Sequence, residues 1–208
     1  MSFGTYARKV RDPSLAYGRR INALAGCVER YRPIGYHATF GYLEHVAGGF
    51  RRAEAALLRA IGALSASRDL WLVEPRAYAL RRKEAKRLGR RNRPASGLNP
   101  STPRCWYGDA RNAAMFALRF LLRRVDTGRP GRASTADTAV LRLASACVDN
   151  GGHLAGSNRE QLSMIRPHFE RLRQVSGWPH TDWANWHKAH DSLWLLHLIE
   201  YASEPHRR

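Results

Sequence analysis

Apolar residues recur three and four positions apart through most of this chain and are cut repeatedly at glycine or proline. That period places side chains on one face of a helix, and the punctuation limits each helix in length. Ile21, Leu24, Val28 and Tyr31 form one such stripe, stopped at Arg32-Pro33. Asp12-Pro13 ahead of it reads as an N-cap with proline at the first helical position. Phe40, Leu43 and Ala47 form a second stripe, ended by Gly48-Gly49. A third helix is expected from Phe50 to about Leu64, with Ala53, Leu57, Ile61 and Leu64 inward. Leu70 to Val73 is a short apolar run before Glu74-Pro75, read as a brief strand or a buried connector.

The second half follows the same logic. Asp109 is expected to cap a helix with Met115, Phe116, Phe120 and Leu121 on its inner face, ending at Thr127-Gly128. Ser134 or Thr135 opens the next helix, which buries Val140, Leu143, Ala144 and Cys147 and stops at Gly151-Gly152. Ser157 and Glu160 have the spacing of a capping box. Pro167 is expected to kink or restart the helix that carries Phe169, Leu172 and Val175. Thr181 or Asp182 caps a last helix to about Ala202. The expected fold is all-α: a helical bundle with a basic connecting helix or arm and a long loop in the middle. Residues 1–75 form an N-terminal helical half and 104–208 a C-terminal one, packed as one domain. Between them, 76–103 combine a basic arm with the proline-rich linker 94–103.

Charge sets this chain apart from an ordinary helical protein. It has 35 Lys+Arg against 17 Asp+Glu in 208 residues, a net charge of +18, while its 44% hydrophobic content is that of a globular protein. All but four of the basic residues are arginine, whose planar fork of donors matches phosphate and stacks on bases. Cys27, Cys105 and Cys147 are isolated from one another, with no CxxC or CxxH pair for a structural zinc, and imply reduced thiols inside a cell. No apolar run approaches a membrane span, and the first residues lack the apolar stretch of a secretory signal. No P-loop, dinucleotide GxGxxG or Ser-His-Asp elbow is present, and no cofactor is implied.

The charge is densest from Arg76 to Arg93, where nine of eighteen residues are basic and only Glu84 is acidic. Such a run repels itself unless an anion lies alongside, and nucleic-acid phosphate is the usual partner. The candidate phosphate contacts are Arg76, Arg81, Arg82, Lys83, Lys86, Arg87, Arg90, Arg91 and Arg93. A second patch, Arg119, Arg123 and Arg124 with Arg129 and Arg132, sits at a helix C-terminus and its turn, where the helix dipole also favours cations. Arg51, Arg52 and Arg59 add charge to the polar face of the third helix. Tyr78, Trp106 and Tyr107 are placed to stack on unpaired bases or to pack at helix ends.

Trp183, Trp186, His190, Trp194, His197 and Tyr201 recur at helical spacing near the C-terminus and read foremost as a core or interface stripe. His187, His190 and Asp191 have a spacing that can hold a metal, without an HExxH signature, and no metal is expected. Arg32 and His37 share the Arg-x4-His spacing of one class of helical ribonucleases, but Pro33 and Gly35 break the helix that class requires.

Arg166-x-x-Phe169-Glu170 followed by Val175 resembles a short C-terminal motif in coat proteins of rigid rod-shaped RNA viruses. The resemblance implies an antiparallel four-helix bundle that stacks helically around RNA, with Arg166, Phe169 and Glu170 as motif and packing residues. Trp178 falls one residue late for the motif's aromatic, Pro167 interrupts it, and +18 per subunit exceeds what a few nucleotides would neutralise. Ala110 to Arg119 is similar to the opening helix of the DNA-binding domain of bacterial replication initiators, without the helix-turn-helix that should follow.

Together these features point to a non-enzymatic nucleic-acid-binding protein, RNA before DNA, that self-associates, avoids membranes and works in the cytoplasm or a virion. Packaging or coat assembly is one form of that expectation. A basic ribonucleoprotein or DNA-architectural component is another, and a small helical nuclease using His37 or the C-terminal histidines is the rival from a different class.

Overall fold

The computed structural model describes residues 1–90, 102–127, 135–176 and 182–204. Among them are eight helices and no strand: α1 (Phe3–Arg11), α2 (Tyr17–Arg30), α3 (Tyr36–Ala47), α4 (Glu54–Arg87), α5 (Ala110–Asp126), α6 (Thr138–Asp149), α7 (Gly156–Ser176) and α8 (Trp183–Ser203). The all-α class expected from periodicity is what the chain forms. The chain divides into two compact units, Met1–Gly108 and Asp109–Arg208, each with its own core.

In the first unit α1 and α2 pack as a hairpin, and the first part of α4 packs against α1, α2 and α3. Leu24, Val28, Tyr31, Ile34, Leu43, Phe50, Leu57, Ile61 and Leu64 are almost wholly removed from water. Removing apolar area on this scale is the main force holding the unit together. Asp12 does not cap α2 as expected. It follows the C-terminus of α1, an element that periodicity did not reveal, and its carboxylate accepts from the Ser14 backbone N–H (3.0 Å) and hydroxyl (2.6 Å). Ser2 caps α1 by accepting from the Thr5 N–H at 3.2 Å. The Tyr6 ring lies so close to Gly26 of α2 that a Cβ there would stand 2.6 Å from it.

The largest departure from expectation is α4. The third helix, the apolar run Leu70 to Val73 and the basic run form one helix of 34 residues with Pro75 inside it. Proline deletes one backbone donor and crowds the preceding turn. Good helix formers on both sides carry the structure through that local cost. Trp71 fixes the path by packing its ring 5.5 Å from Tyr31, so the apolar run is a continuing helical face and not a strand. The expected separate connecting helix is therefore the outer half of α4. Most of the expected linker 94–103 lies outside the described residues.

In the second unit α8 is central, packed against α5, α6 and α7. α6 begins at Thr138 with Asp137 as its cap, accepting from the Ala139 N–H at 2.9 Å. Thr135, an expected opener, instead donates its hydroxyl to the buried Asp191 carboxylate. α7 starts at Gly156, which puts Ser157 inside the helix and not at the cap, and it runs through Pro167 without ending. Asp182 caps α8 through the Asn185 N–H at 3.1 Å. Phe116 and Phe120 are half-exposed and stacked on each other (6.2 Å, 18°), and the inner face of α5 is instead Ala113, Ala114, Ala117, Leu118 and Leu121 with Met115.

Candidate nucleic-acid interface

The buried face of α4 ends at Ser67. From Arg68 to Arg87 the helix runs on for about 30 Å at 1.5 Å per residue without another fully buried side chain. Arg76, Lys83 and Arg87 recur at seven- and four-residue spacing and share one side of this segment. Lys86 and Arg82 lie on the adjoining side and Arg81 on the far one. All are exposed except Arg82, which is half-buried, and Arg90 is exposed just beyond the helix end.

Among the described residues, part of this charge on the outer half of α4 is engaged within the protein and part is not. Arg87 donates to both carboxylate oxygens of Glu84, at 3.0 and 2.8 Å. Arg81 lies over the Tyr78 ring at 5.8 Å, and Arg82 reaches the Arg90 carbonyl at 3.4 Å. Arg76, Lys83 and Lys86 have no hydrogen-bond or ion-pair partner among the described residues. Leu70, Val73 and Leu80 lie exposed along the neighbouring side of the same helix. The arrangement is a solvent-facing cationic rod whose root is locked into a hydrophobic core.

Charge is divided unequally between the units. Met1–Gly108 holds 21 basic against 7 acidic residues, and Asp109–Arg208 holds 14 against 10. Of the second patch, Arg119 and Arg123 are exposed one turn apart on α5, while Arg124 is half-buried over the Phe120 ring at 5.9 Å. Arg91, Arg93, Arg129 and Arg132 lie outside the described residues.

Several other residues read as possible contacts have partners within the protein. Arg59 donates from Nε and Nη2 to the Ala47 carbonyl, at 3.2 and 2.8 Å, satisfying the end of α3. Arg51 lies 3.8 Å from Glu44 and precedes α4. Trp106 is only 4% exposed and edge-on to Tyr42, and so is a core residue and not a stacking surface. Tyr107 donates its hydroxyl to Glu74 at 3.1 Å. Arg166 pairs with Glu200 at 2.5 Å, Phe169 is buried, and Glu170 is exposed. Two of the three motif residues thus knit α7 into its unit.

The groups considered for catalysis or metal binding are dispersed. His37 is exposed in the first turn of α3, edge-on to Tyr36 at 5.3 Å, and Arg32 lies before that helix in an open hollow with Glu29 and Arg30. Asp191 is buried, His190 stacks on Trp186, and no three candidate ligands cluster among the described residues. No described helix is long and apolar enough to cross a membrane. Comparison with protein-family models, curated proteins and solved structures finds no match.

Proposed function

We propose that this is a non-enzymatic nucleic-acid-binding protein that holds phosphates along the outer half of α4, with Arg119 and Arg123 as a second contact. One observation carries the reading: a helix anchored in the core extends past its last buried residue as an exposed segment dense in cations, three of which are unpaired among the described residues. Keeping like charges this close costs free energy that a polyanion would recover, with release of its counterions. The contacts are to backbone phosphate, so binding is largely indifferent to sequence. The narrower proposal is RNA before DNA, in packaging or coat assembly.

The test is binding to RNA and DNA oligonucleotides across a salt series. Affinity is expected to fall steeply with salt, with a log–log slope of roughly −0.9 per phosphate contact on duplex DNA and −0.7 on a single strand. Changing Arg76, Lys83 and Lys86 together to Gln should flatten the slope by about 2 to 3. A protein with no measurable affinity at low salt, or an unchanged slope in the triple variant, overturns the proposal. The nucleic acid should be recovered intact after incubation with divalent metal; cleavage abolished by His37→Ala would replace this reading with a nuclease. Electron microscopy tests the narrower form, which requires nucleic-acid-bearing particles or filaments.

A further inference from the structure

The sequence pattern of α8 reads as a core or interface stripe of aromatic residues, and the structure leaves that stripe outside the core of its unit. Ala189, Leu193, Leu195, Leu196, Leu198, Ile199 and Ala202 form the buried face. Trp186, His190, Trp194, His197 and Tyr201 lie half-exposed on the other side, and Trp183 and His187 are exposed. Trp183 leaves 58% of its surface in water, an uncommon position for the largest apolar side chain.

The rings near the start of α8 are already ordered against one another. Trp186 stacks on His190 with centroids 4.8 Å apart and planes 7° from parallel. Trp183 meets Trp186 edge-on at 6.0 Å and tilts against His187 at 6.4 Å. His187 also stands edge-on to Trp186 at 5.1 Å. Rings held in this way lose little rotamer freedom when a flat ligand stacks on them. The one lysine of α8, Lys188, is engaged at 2.8 Å with Asp137, and this unit has a small excess of positive charge. Among the described residues of α8 itself, the cluster therefore has π-surface and no cation outside an ion pair.

We infer that Trp183, Trp186 and His187 form a base-stacking site for unpaired nucleotides, an inference that rests on the nucleic-acid reading above. Bases within a duplex have both faces covered by their neighbours, whereas an unpaired base has a face to give. Successive turns of α8 set the rings about 5 Å apart along its axis, within reach of neighbouring bases on an extended strand. α4 would supply salt-sensitive affinity, and α8 a salt-insensitive preference for single strands.

The experiment measures fluorescence anisotropy of labelled oligo(A) RNA and of a duplex of equal length, each across a salt series. The proteins compared are wild type, Trp183→Leu and Trp183→Phe, with helical content checked by circular dichroism. Trp183→Leu should weaken single-strand binding about tenfold, from the worth of one stacked base. Its salt slope and duplex affinity should be unchanged, and Trp183→Phe should restore most of the loss. Unchanged single-strand affinity in Trp183→Leu, beside normal salt-sensitive binding, overturns this site and leaves the phosphate reading standing. Equal losses on single strand and duplex also overturn it. A change in sedimentation without a change in affinity would make the patch a contact between copies instead. Absence of wild-type binding to either nucleic acid defeats both proposals.

Discussion

Arg20 shows how a charged residue becomes part of the core. Only 4% of its side chain is exposed, its Nε donates to the Val10 carbonyl at 2.8 Å, and its Nη1 donates to Glu54 at 2.7 Å. It thereby joins the end of α1 to the start of α4. Arg20→Ala should cost about 3 kcal/mol in chemical denaturation, because it strands a buried carbonyl. Glu54→Gln should cost about 1 kcal/mol or less, since its own side chain is half in water. Gly152 is a second such position. Its φ of +91° is strained for other residues, and a Cβ there would stand 2.6 Å from the Ala202 carbonyl. Gly152→Ala should therefore destabilise by about 2 kcal/mol or more, read as a lowered denaturation midpoint. Burial raises the Cys27 thiol to about 12 and the Cys147 thiol to about 11. Both should resist a thiol reagent at neutral pH until the chain is unfolded. The burial of Cys147 was legible from its place on the inner face of α6, as was Gly152 as part of the stop after that helix. The roles of Arg20 and Cys27, and the close approach of Gly152 to Ala202, were not, because their partners are distant in the chain.

At the level of elements, the sequence marked several helix ends where glycine or an N-capping side chain acts locally: Gly48 after α3, Gly151-Gly152 after α6, Asp182 before α8. It failed where packing overrode punctuation. Pro75 predicted a break, but Trp71 on Tyr31 and the helix formers beyond it keep α4 continuous. Pro75→Ala should restore a backbone donor and relieve the crowded turn. Slower amide exchange over residues 76–87 is expected, equivalent to about 1–3 kcal/mol of local stabilisation. The aromatic stripe of α8, expected in a core or an interface, lies outside its unit's core for a different reason. Both sides of that helix are apolar, so periodicity alone could not choose between leucine and tryptophan for the core. In the same unit α7 and α8 are joined by Arg166 and Glu200, with His197 Nδ1 3.5 Å from the same carboxylate. Partial burial acts to raise the Glu200 pKa, but His197 and Arg166 outweigh it and hold the carboxyl below its ordinary value. Asp137 is lowered too, by the hydrogen bond from Lys188 foremost. A carboxyl depressed in the folded state stabilises above its unfolded pKa, and the gain is lost as pH falls through the folded value. Stability should therefore drop as the solution is acidified below about pH 4, and Glu200→Gln should blunt that drop in a pH series of melts.

The molecule as a whole divides its chemistry between two cores, with most of the excess charge on the first and the outward rings on the second. Composition announced the total charge and not this division, which depends on where the compact units begin and end. The basic run is visible in the sequence, and its reading as a partner signal is the proposal above, argued from the repulsion of cations at that density. The physical form of the run is not visible there, because nothing local says that its helix starts at Glu54, well before the run and inside a core. That shared helix has a thermodynamic consequence. Ala56 to Ser67 of α4 hold the first unit together, and Arg76 to Arg87 are the proposed ligand contacts. Whatever stiffens the outer turns lowers the free energy of a helix on which folding depends, so binding and unfolding become linked equilibria. Saturating polyanion at low salt should raise the melting temperature of Met1–Gly108 by several degrees, an increment that salt would erase in step with affinity. The protein would then be hardest to unfold when it is loaded.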